Sequence, residues 1–455
     1  MSQIDTAAPA RSSARTDANW RPFLIRLHFY IGLFIGPFIF IAALTGLLYV
    51  LTPQIENRLY ADALFTDSTG PSQNLTAQAE AARTYLDDSL DVSAIRPATG
   101  PGTTTRILFS DASLAASENR TLFVDPATLE IKGDLTTYGT SGILPFRIAL
   151  DYLHRNLMLG EFGRYYSELA ASWLWVAVLG GVILWATGPS RRRPVAQMPP
   201  PQRRRWLHAT IGVSLSVILI FISFTGLTWS QQGGARIDAL RGVLGWTTPS
   251  VSTTLDGVAQ PEAGHHDHGH GDHPIDMRED RLDQLDAVAQ AAQAAGIDSP
   301  MFEIRLPKPE QAWLVREYDR SWPTQVDTVA LHPDTMEVTS RADFASFTLI
   351  PKLIRWGIDA HMGILFGVAN QIVMALVALG LIVVIAYGYR MWWARRPVVG
   401  SRPLIESWRG MSVPHRLLWL VLAAGFGWAL PVLGVSLLAF LAIDIARSAL
   451  TRRAA

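Results

Sequence analysis

Five long apolar blocks constrain the fold of this chain more than any other feature of its sequence. Each is long enough for the roughly 17 to 25 residues that a membrane-spanning helix needs, and they cover residues 28–52, 169–187, 209–229, 368–389 and 416–446. The first block is longer than the roughly 7 to 15 apolar residues of a signal peptide core and lacks an obvious small-residue cleavage site, so we predict that it is retained. The sequence therefore predicts an integral membrane protein that lies in a lipid bilayer.

Composition narrows the chemistry that such a protein can perform. Hydrophobic residues make up 49% of the chain and its formal net charge is zero, which gives no sign of nucleic-acid binding. The chain has no cysteine, which excludes disulfides, thiolate-bound iron–sulfur clusters and the attachment motif of a c-type haem. Glycine loops for phosphate, a dinucleotide fingerprint and hydrolase motifs are also missing from the sequence, so we assign no catalytic side chain.

Arginines predict the orientation of the blocks. They cluster before the first block, between the second and third, and after the fourth, at Arg11, Arg15, Arg21, Arg26, Arg191 to Arg193, Arg203 to Arg205, Arg390, Arg395 and Arg396. By the positive-inside rule these three regions are cytoplasmic. The long polar loops, about 53–165 and 230–360, then face outward.

A histidine-bearing pattern in the first block recurs in the third. Leu27-His28, Ile31-Gly32 and Thr45-Gly46-Leu47 are repeated at 207–208, 211–212 and 225–227, at a constant offset of 180 (208 − 28). An imidazole inside a membrane helix is costly without a partner, so it indicates a functional site by default. His28 and His208, at matching depth, suggest a shared ligand.

A second offset relates the outer loops and the segments that follow them. Residues 123–131 match 330–338 at an offset of 207 (333 − 126), and both predict a β-hairpin around a Pro-centred turn. The helix-like stretches 74–86 and 281–293 have the same offset, as do His154 and His361. The change from 180 to 207 places 27 additional residues between Leu227 and Arg281, an interval that contains a histidine-rich run.

These patterns predict a duplicated membrane protein: an α-helical bundle of four main transmembrane helices plus a C-terminal helix or short hairpin, with two small α+β outer domains. The predicted parts are a disordered cytoplasmic tail (1–19), transmembrane helix 1 (20–56), outer domain 1 (57–150), an outer histidine segment with helix 2 (151–190), an Arg-rich loop (191–205), helix 3 (206–230), a linker with the His-rich insert (231–280), outer domain 2 (281–350), a second histidine segment with helix 4 (351–396) and the C-terminal block (413–447). For that block we favour two half-length helices, because one helix would place Arg447, Arg452 and Arg453 outside.

The four histidines separate by side and suggest two haem b groups. His28 and His208 begin helices that run outward, whereas His154 and His361 precede helices that run inward. Haem b needs two axial ligands on opposite faces of its ring, and imidazoles from facing helices can supply them without cysteine. Nearby arginines would suit the propionates, namely Arg26 and Arg205 on the inner side and Arg155 and Arg355 on the outer side.

Simpler explanations exist for each of these features. A membrane histidine can be a hydrogen-bonded packing residue, the arginines satisfy the positive-inside rule by themselves, and Thr45 and Thr225 can bond their own backbone. Gly32 and Gly212 would leave room for a macrocycle, but small residues also serve helix packing. The run His265, His266, His268, His270 and His273 is a speculative loop site for a metal. His415 is a possible substitute ligand, and His332 is predicted to be a turn residue.

The motifs around these histidines resemble one known family. Residues 27–33, 45–47, 153–157, 361–363 and 391–397 look like those of the PepSY-associated transmembrane family, and the outer repeats resemble PepSY domains, over roughly residues 20–397. Members include bacterial inner-membrane ferric-siderophore reductases that bind haem through membrane histidines. The resemblance implies that His28, His208, His154 and His361 are haem ligands and that the outer loops are periplasmic.

The leading hypothesis is a diheme electron conduit. Electrons from an unidentified cytoplasmic or membrane donor would reduce a ferric siderophore or other ferric chelate at the outer domains, releasing iron because hard oxygen ligands hold Fe³⁺ better than Fe²⁺. Two alternatives stay open: a non-redox sensor or regulator anchored by the helices, and a haem or metal transporter that uses the interface between the repeats.

Overall fold

The structure is a computed structural model that describes residues 20–188, 194–255, 280–395 and 404–453. Five of its helical segments are long and apolar enough to cross a membrane: Arg21–Val50, Gly160–Ala186, Pro200–Thr228, Gly367–Ala394 and Pro431–Leu450. The chain is thus a membrane protein with an antiparallel sheet beside its helical bundle. The ends of the helices next to the sheet are called the sheet side below, and the opposite ends the far side.

The first span is interrupted just after His28. It consists of α1 (Arg21–Tyr30), a π-helical turn (Ile31–Ile35) and α2 (Gly36–Val50). Such a turn inside an α-helix is rare and is often found at functional positions. Two short helices, α3 (Thr52–Leu59) and α4 (Ala61–Leu64), then lead from the bundle to the sheet.

Eight strands form one continuous antiparallel sheet. The first four are β1 (Val92–Arg96), β2 (Thr105–Phe109), β3 (Glu118–Val124) and β4 (Ile131–Tyr138), and the second four are β5 (Phe302–Arg305), β6 (Trp313–Glu317), β7 (Thr328–Leu331) and β8 (Val338–Ala342). Their order is β4-β3-β2-β1-β5-β6-β7-β8. The two outer regions therefore share a single sheet, joined where Ala94 and Ile95 pair with Arg305 and Ile304.

Two helices cover one face of this sheet. These are α5 (Leu75–Tyr85) and α10 (Leu285–Ala294), and their alanines and leucines bury Ile107, Leu122 and Val315 in the main core. Because side chains alternate across a strand, residues such as Arg96, Arg106 and Glu303 project from the opposite face. The sequence prediction of helices near 74–86 and 281–293 is confirmed.

The predicted hairpins are also confirmed. β3 pairs with β4 and β7 with β8, each around a turn that begins at Asp125 or at His332. Asp125 accepts hydrogen bonds from the backbone of Ala127, and the Nδ1 of His332 accepts from the backbone of Asp334 in the corresponding turn. His332 is a turn residue, as predicted.

The remaining helices complete the bundle. Two short helices, α6 (Pro145–Asn156) and α11 (Leu349–His361), lead from the sheet into the spans α7 (Gly160–Ala186) and α12 (Gly367–Ala394). The third span is α8 (Pro200–Thr228), which packs against both α7 and α12 and continues to α9 (Gln232–Val243).

The final block forms two helices rather than one. After α13 (Leu404–Arg409), α14 (Val413–Ala429) and α15 (Pro431–Arg453) pack against each other and are separated by Leu430. The predicted break is confirmed, but α15 is not half-length, since its first 20 residues alone qualify as a span. Asp444 of α15 is buried and accepts hydrogen bonds from the first backbone amides of α13.

A buried cluster of charges ties the two halves of the sheet together. Arg96 of β1 lies 2.7 Å from Glu303 of β5, and the two residues are only 2% and 1% exposed. Burial alone would raise the pKa of Glu303, but Arg316, Arg96 and Arg305 outweigh it and hold that pKa far below its ordinary value. The Glu303 carboxylate is therefore charged, and it compensates the positive charges of Arg96, Arg305 and Arg316 in the interior of the sheet.

We expect Glu303→Gln to weaken the β1–β5 junction, because it leaves three guanidinium groups around a neutral side chain. Removing one partner of a buried ion pair costs about 3–5 kcal/mol. Hydrogen exchange of the β1 and β5 amides should show this as faster local opening. The control, Glu130→Gln, changes an exposed carboxylate 3.7 Å from Lys132 and should cost no more than about 0.5 kcal/mol. Unchanged protection in Glu303→Gln would contradict the role of the cluster.

Candidate functional site

The structure brings His28 and His208 together at the far side of the bundle. His28 lies on α1 and His208 on α8, with ring centroids 6.3 Å apart and ring planes at 79°. The Nδ1 of His28 bonds the carbonyl oxygen of Ala177 on α7 at 3.0 Å, and the Nδ1 of His208 bonds the carbonyl of Val384 on α12 at 2.9 Å. The two carbonyl residues are related by the offset of 207 (384 − 177), the same offset that relates His154 and His361.

These hydrogen bonds determine the chemical state of both rings. A carbonyl oxygen only accepts, so each Nδ1 carries a proton, and in a neutral imidazole Nε2 then keeps the free lone pair. Metal-binding histidines use this arrangement, in which a hydrogen bond at one nitrogen orients the ring and leaves the other as the ligand.

The second pair lies on the sheet side and is held by two threonines. His154 of α6 bonds the hydroxyl of Thr45 through Nδ1 at 2.9 Å, and His361 of α11 bonds that of Thr225 at 2.6 Å. Each threonine donates its single proton to a carbonyl of its own helix, that of Ile41 or Phe221. With the hydroxyl proton on that carbonyl, each hydroxyl accepts from the histidine, and the neutral ring then has its free lone pair on Nε2.

Electrostatics keep the sheet-side rings neutral. Burial lowers the pKa of His154, and burial together with the nearby His154 lowers the pKa of His361 to about 4. Both histidines belong to helices outside the five spans. Neutral imidazole is the form that binds metal, so the environment favours ligation over protonation.

The spacing of the far-side pair fits one metal between two imidazoles. A metal–imidazole bond is about 2 Å, and the ring nitrogen lies about 1 Å from the ring centre, so two axial imidazoles have centroids on the order of 6 Å apart. The observed 6.3 Å agrees with this value. Two imidazole nitrogens at this spacing, in a chain without cysteine, would suit the axial positions of a b-type haem.

Glycines leave space next to these rings. A Cβ added at Gly32 or Gly212, one turn after the far-side histidines, would meet no atom within 4 Å. A Cβ at Gly181 would lie 3.2 Å from Cε1 of His28, and one at Gly388 would lie 3.7 Å from Cε1 of His208. Gly181 and Gly388 were missed in the sequence, although their separation of 207 (388 − 181) was a signal that could have found them.

The predicted arginines lie on the same helices as the histidines, but the outer two already have partners. Arg155 donates to the hydroxyl of Tyr138 at 2.8 Å and lies over the ring of Tyr152. Arg355 lies 3.3 Å from Asp359, and burial lowers its pKa to about 10, so it remains cationic near neutral pH. Arg26 precedes His28 on α1, and Arg205 precedes His208 on α8.

Two further predicted sites are not part of either pair. The histidine-rich run from His265 to His273 lies outside the described residues. Within the described ranges, no group of three or more His, Cys, Asp or Glu residues is placed to hold a metal ion. His415 bonds the hydroxyl of Ser412 at 2.8 Å, where α14 begins.

The fold and the paired histidines define a multi-spanning helical membrane protein with an antiparallel sheet domain. The family model described as the PepSY-associated TM region matches residues 25–395. Since this match covers most of the chain, the protein belongs to that family. No curated protein matches the sequence.

Proposed function

We propose that the protein is a membrane oxidoreductase that binds two haem b groups and reduces a ferric chelate, such as a ferric siderophore, on its sheet side. His28 and His208 would hold one haem, and His154 and His361 the other. A single observation carries the proposal: all four imidazoles have Nδ1 within hydrogen-bond distance of a protein oxygen, which would leave Nε2 as the ligand nitrogen.

Bound haem would supply one-electron transfer at each histidine pair. The substrate gains one electron, Fe³⁺ becomes Fe²⁺, and the oxygen ligands of the chelate bind the product less tightly. The electron comes from a separate donor of the quinol or reduced-flavin class on the far side. From His28 to Thr45, which contacts His154, the helix rises about 25 Å, so the two pairs together cover most of the roughly 30 Å hydrocarbon core.

Charge supports an orientation with the far side in the cytoplasm. Arg26, Arg203, Arg204, Arg205 and Arg390 all belong to far-side ends of spans, and the positive-inside rule assigns such ends to the cytoplasm. The sheet would then be periplasmic, in a bacterial inner membrane. The similar order of the main elements in the two halves, a span, a covering helix, four strands, a short helix and a second span, supports an internal duplication, with each histidine pair at the interface between the halves.

Replacing one histidine of a pair should remove one haem. We expect His28→Ala and His154→Ala each to lose about half of the haem that the purified protein holds, and the double variant to lose all of it. The measurement is the dithionite-reduced minus oxidised spectrum with a haem-to-protein ratio. His332→Ala, which alters a turn residue in the sheet, is the control and should keep both haems. A wild-type protein without haem would rule out the proposal and favour a non-redox sensor.

The threonines should tune the sheet-side haem only. Thr45→Val and Thr225→Val keep the side-chain shape but remove the acceptor of the histidine Nδ1–H. Loss of such a partner typically weakens metal binding about 10- to 100-fold, and we expect this in haem titrations of the apoprotein at one of two sites. Thr228→Val is the matched control, because the Thr228 hydroxyl donates to the carbonyl of Thr225 in its own helix and, within the described ranges, bonds no histidine. Equal affinities in Thr45→Val, Thr225→Val and wild type would show that the threonines serve helix packing alone.

A further inference from the structure

A cavity of about 340 Å³ lies between the sheet and the helices. Arg96 and Arg106 line it from β1 and β2, Glu56 from α3, Arg147 from α6, and Tyr318 from the second half of the sheet. It therefore opens on the sheet face that α5 and α10 leave uncovered. Its volume is within the roughly 300 to 1,000 Å³ typical of small-molecule sites.

The lining of this cavity is strongly cationic. Its charged residues are three arginines and one carboxylate, a formal excess of two positive charges (3 − 1). Arg96 is paired with Glu303 at 2.7 Å, and Arg147 with Glu56 at 2.6 Å. Both carboxylates of these pairs are already engaged by other donors as well, since Glu56 accepts from the backbone of Leu144 and Glu303 from Arg305.

Arg106 differs from the other two arginines. It donates to the carbonyl of Gly142 at 3.2 Å and lies over the ring of Phe123 at 5.4 Å. Within the described ranges no ion pair joins it to a carboxylate, and burial lowers its pKa. A guanidinium in such surroundings gains most from an anionic ligand that brings its own negative charge.

The cavity is close to the sheet-side histidines. Arg147 lies seven residues before His154 on α6, which corresponds to about 10 Å along a helix. On the other wall, Ser141 accepts a hydrogen bond of 2.6 Å from Arg320, which is paired with Asp359 at 2.5 Å, two residues before His361. The cavity lining is thus connected to both sheet-side histidines, through α6 on one wall and through Arg320 and Asp359 on the other.

We propose that this cavity binds carboxylate groups of the iron chelate, so that small anionic, carboxylate-bearing chelates are the preferred substrates. The inference rests on the proposed function for the redox step, but binding itself does not require haem. Arg106 would form the charge-assisted, bidentate contact that a planar guanidinium makes with a carboxylate. Arg96 and Arg147, held by their acidic partners, would provide the surrounding positive potential.

Gallium(III) citrate tests binding apart from electron transfer, because gallium(III) takes the place of iron(III) in the chelate and is not reduced. We expect calorimetry on the purified full-length protein to detect binding that Arg106→Gln weakens at least about tenfold, as for loss of a hydrogen bond to a charged group. Arg106→Lys keeps the positive charge but not the paired N–H donors of the guanidinium. Its affinity for gallium citrate should therefore lie between those of the wild type and Arg106→Gln. The control is Arg120→Gln, since Arg120 is paired with Asp134 on β3 and β4 and does not line the cavity.

Reduction assays separate this inference from the proposed function. With the haem reduced beforehand by dithionite and the excess dithionite removed, Arg106→Gln should raise the concentration of ferric citrate that gives half-maximal haem reoxidation about tenfold or more, and leave that of neutral ferric tris(acetohydroxamate) unchanged. Haem content and hydrogen exchange of β2 would verify that the variant is folded. Two outcomes would overturn the proposed binding of anionic chelates in the cavity and leave the proposed reductase intact. In both, the two chelates are reduced; in one the protein does not bind gallium citrate, and in the other the wild type and Arg106→Gln bind it equally. Absence of haem and of any reduction would reject the reductase instead.

Discussion

The hydrogen bond from each histidine Nδ1 is the interaction on which the arrangement of the bundle depends. A buried N–H without an acceptor is costly, so each ring must be placed where a particular acceptor lies. Each acceptor belongs to a different helix from its histidine: Ala177 on α7 serves α1, Val384 on α12 serves α8, and Thr45 on α2 serves α6. The four bonds therefore fix both the ring orientations and the relative positions of the helices.

The two sequence offsets meet in these bonds. His28 and Thr45 have counterparts at an offset of 180 residues. Their hydrogen-bond partners, Ala177 and His154, have counterparts at an offset of 207 residues. Each of these hydrogen bonds thus joins a residue that recurs at the offset of 180 to a residue that recurs at the offset of 207. The 27 additional residues fall between Leu227 and Arg281, outside the stretches in which the two offsets hold.

Much of the bundle and its histidines could be predicted because the signals are local and periodic. Apolar block length predicted the spans, and the repeated spacing predicted which histidines share a side. The continuous eight-stranded sheet could not be predicted, since β1 and β5 pair over two residue pairs separated by about two hundred positions in the chain. Sequence also suggested Arg155 and Arg355 for a ligand, whereas each already has partners in the fold.

The cavity was missed for the same reason. Its charged residues extend from Glu56 to Arg147, with Tyr318 far beyond them, and no fixed spacing relates them. Each belongs to an element that is unremarkable in sequence, and only the face-to-face placement of the sheet on α3 and α6 brings the guanidinium groups together.

Two ion pairs fix the positions of the helices that lie against the sheet. Arg147 and Glu56 join α6 to α3, and Arg320 joins the sheet region to Asp359 on α11, where the carboxylate is fully buried. Buried pairs of this kind contribute little net stability, because their desolvation offsets their attraction, but a misplaced partner is heavily penalised. Their main effect is therefore to specify geometry. They keep the face of the sheet that carries Arg96 and Arg106 next to α6 and α11, the helices that carry the sheet-side histidines.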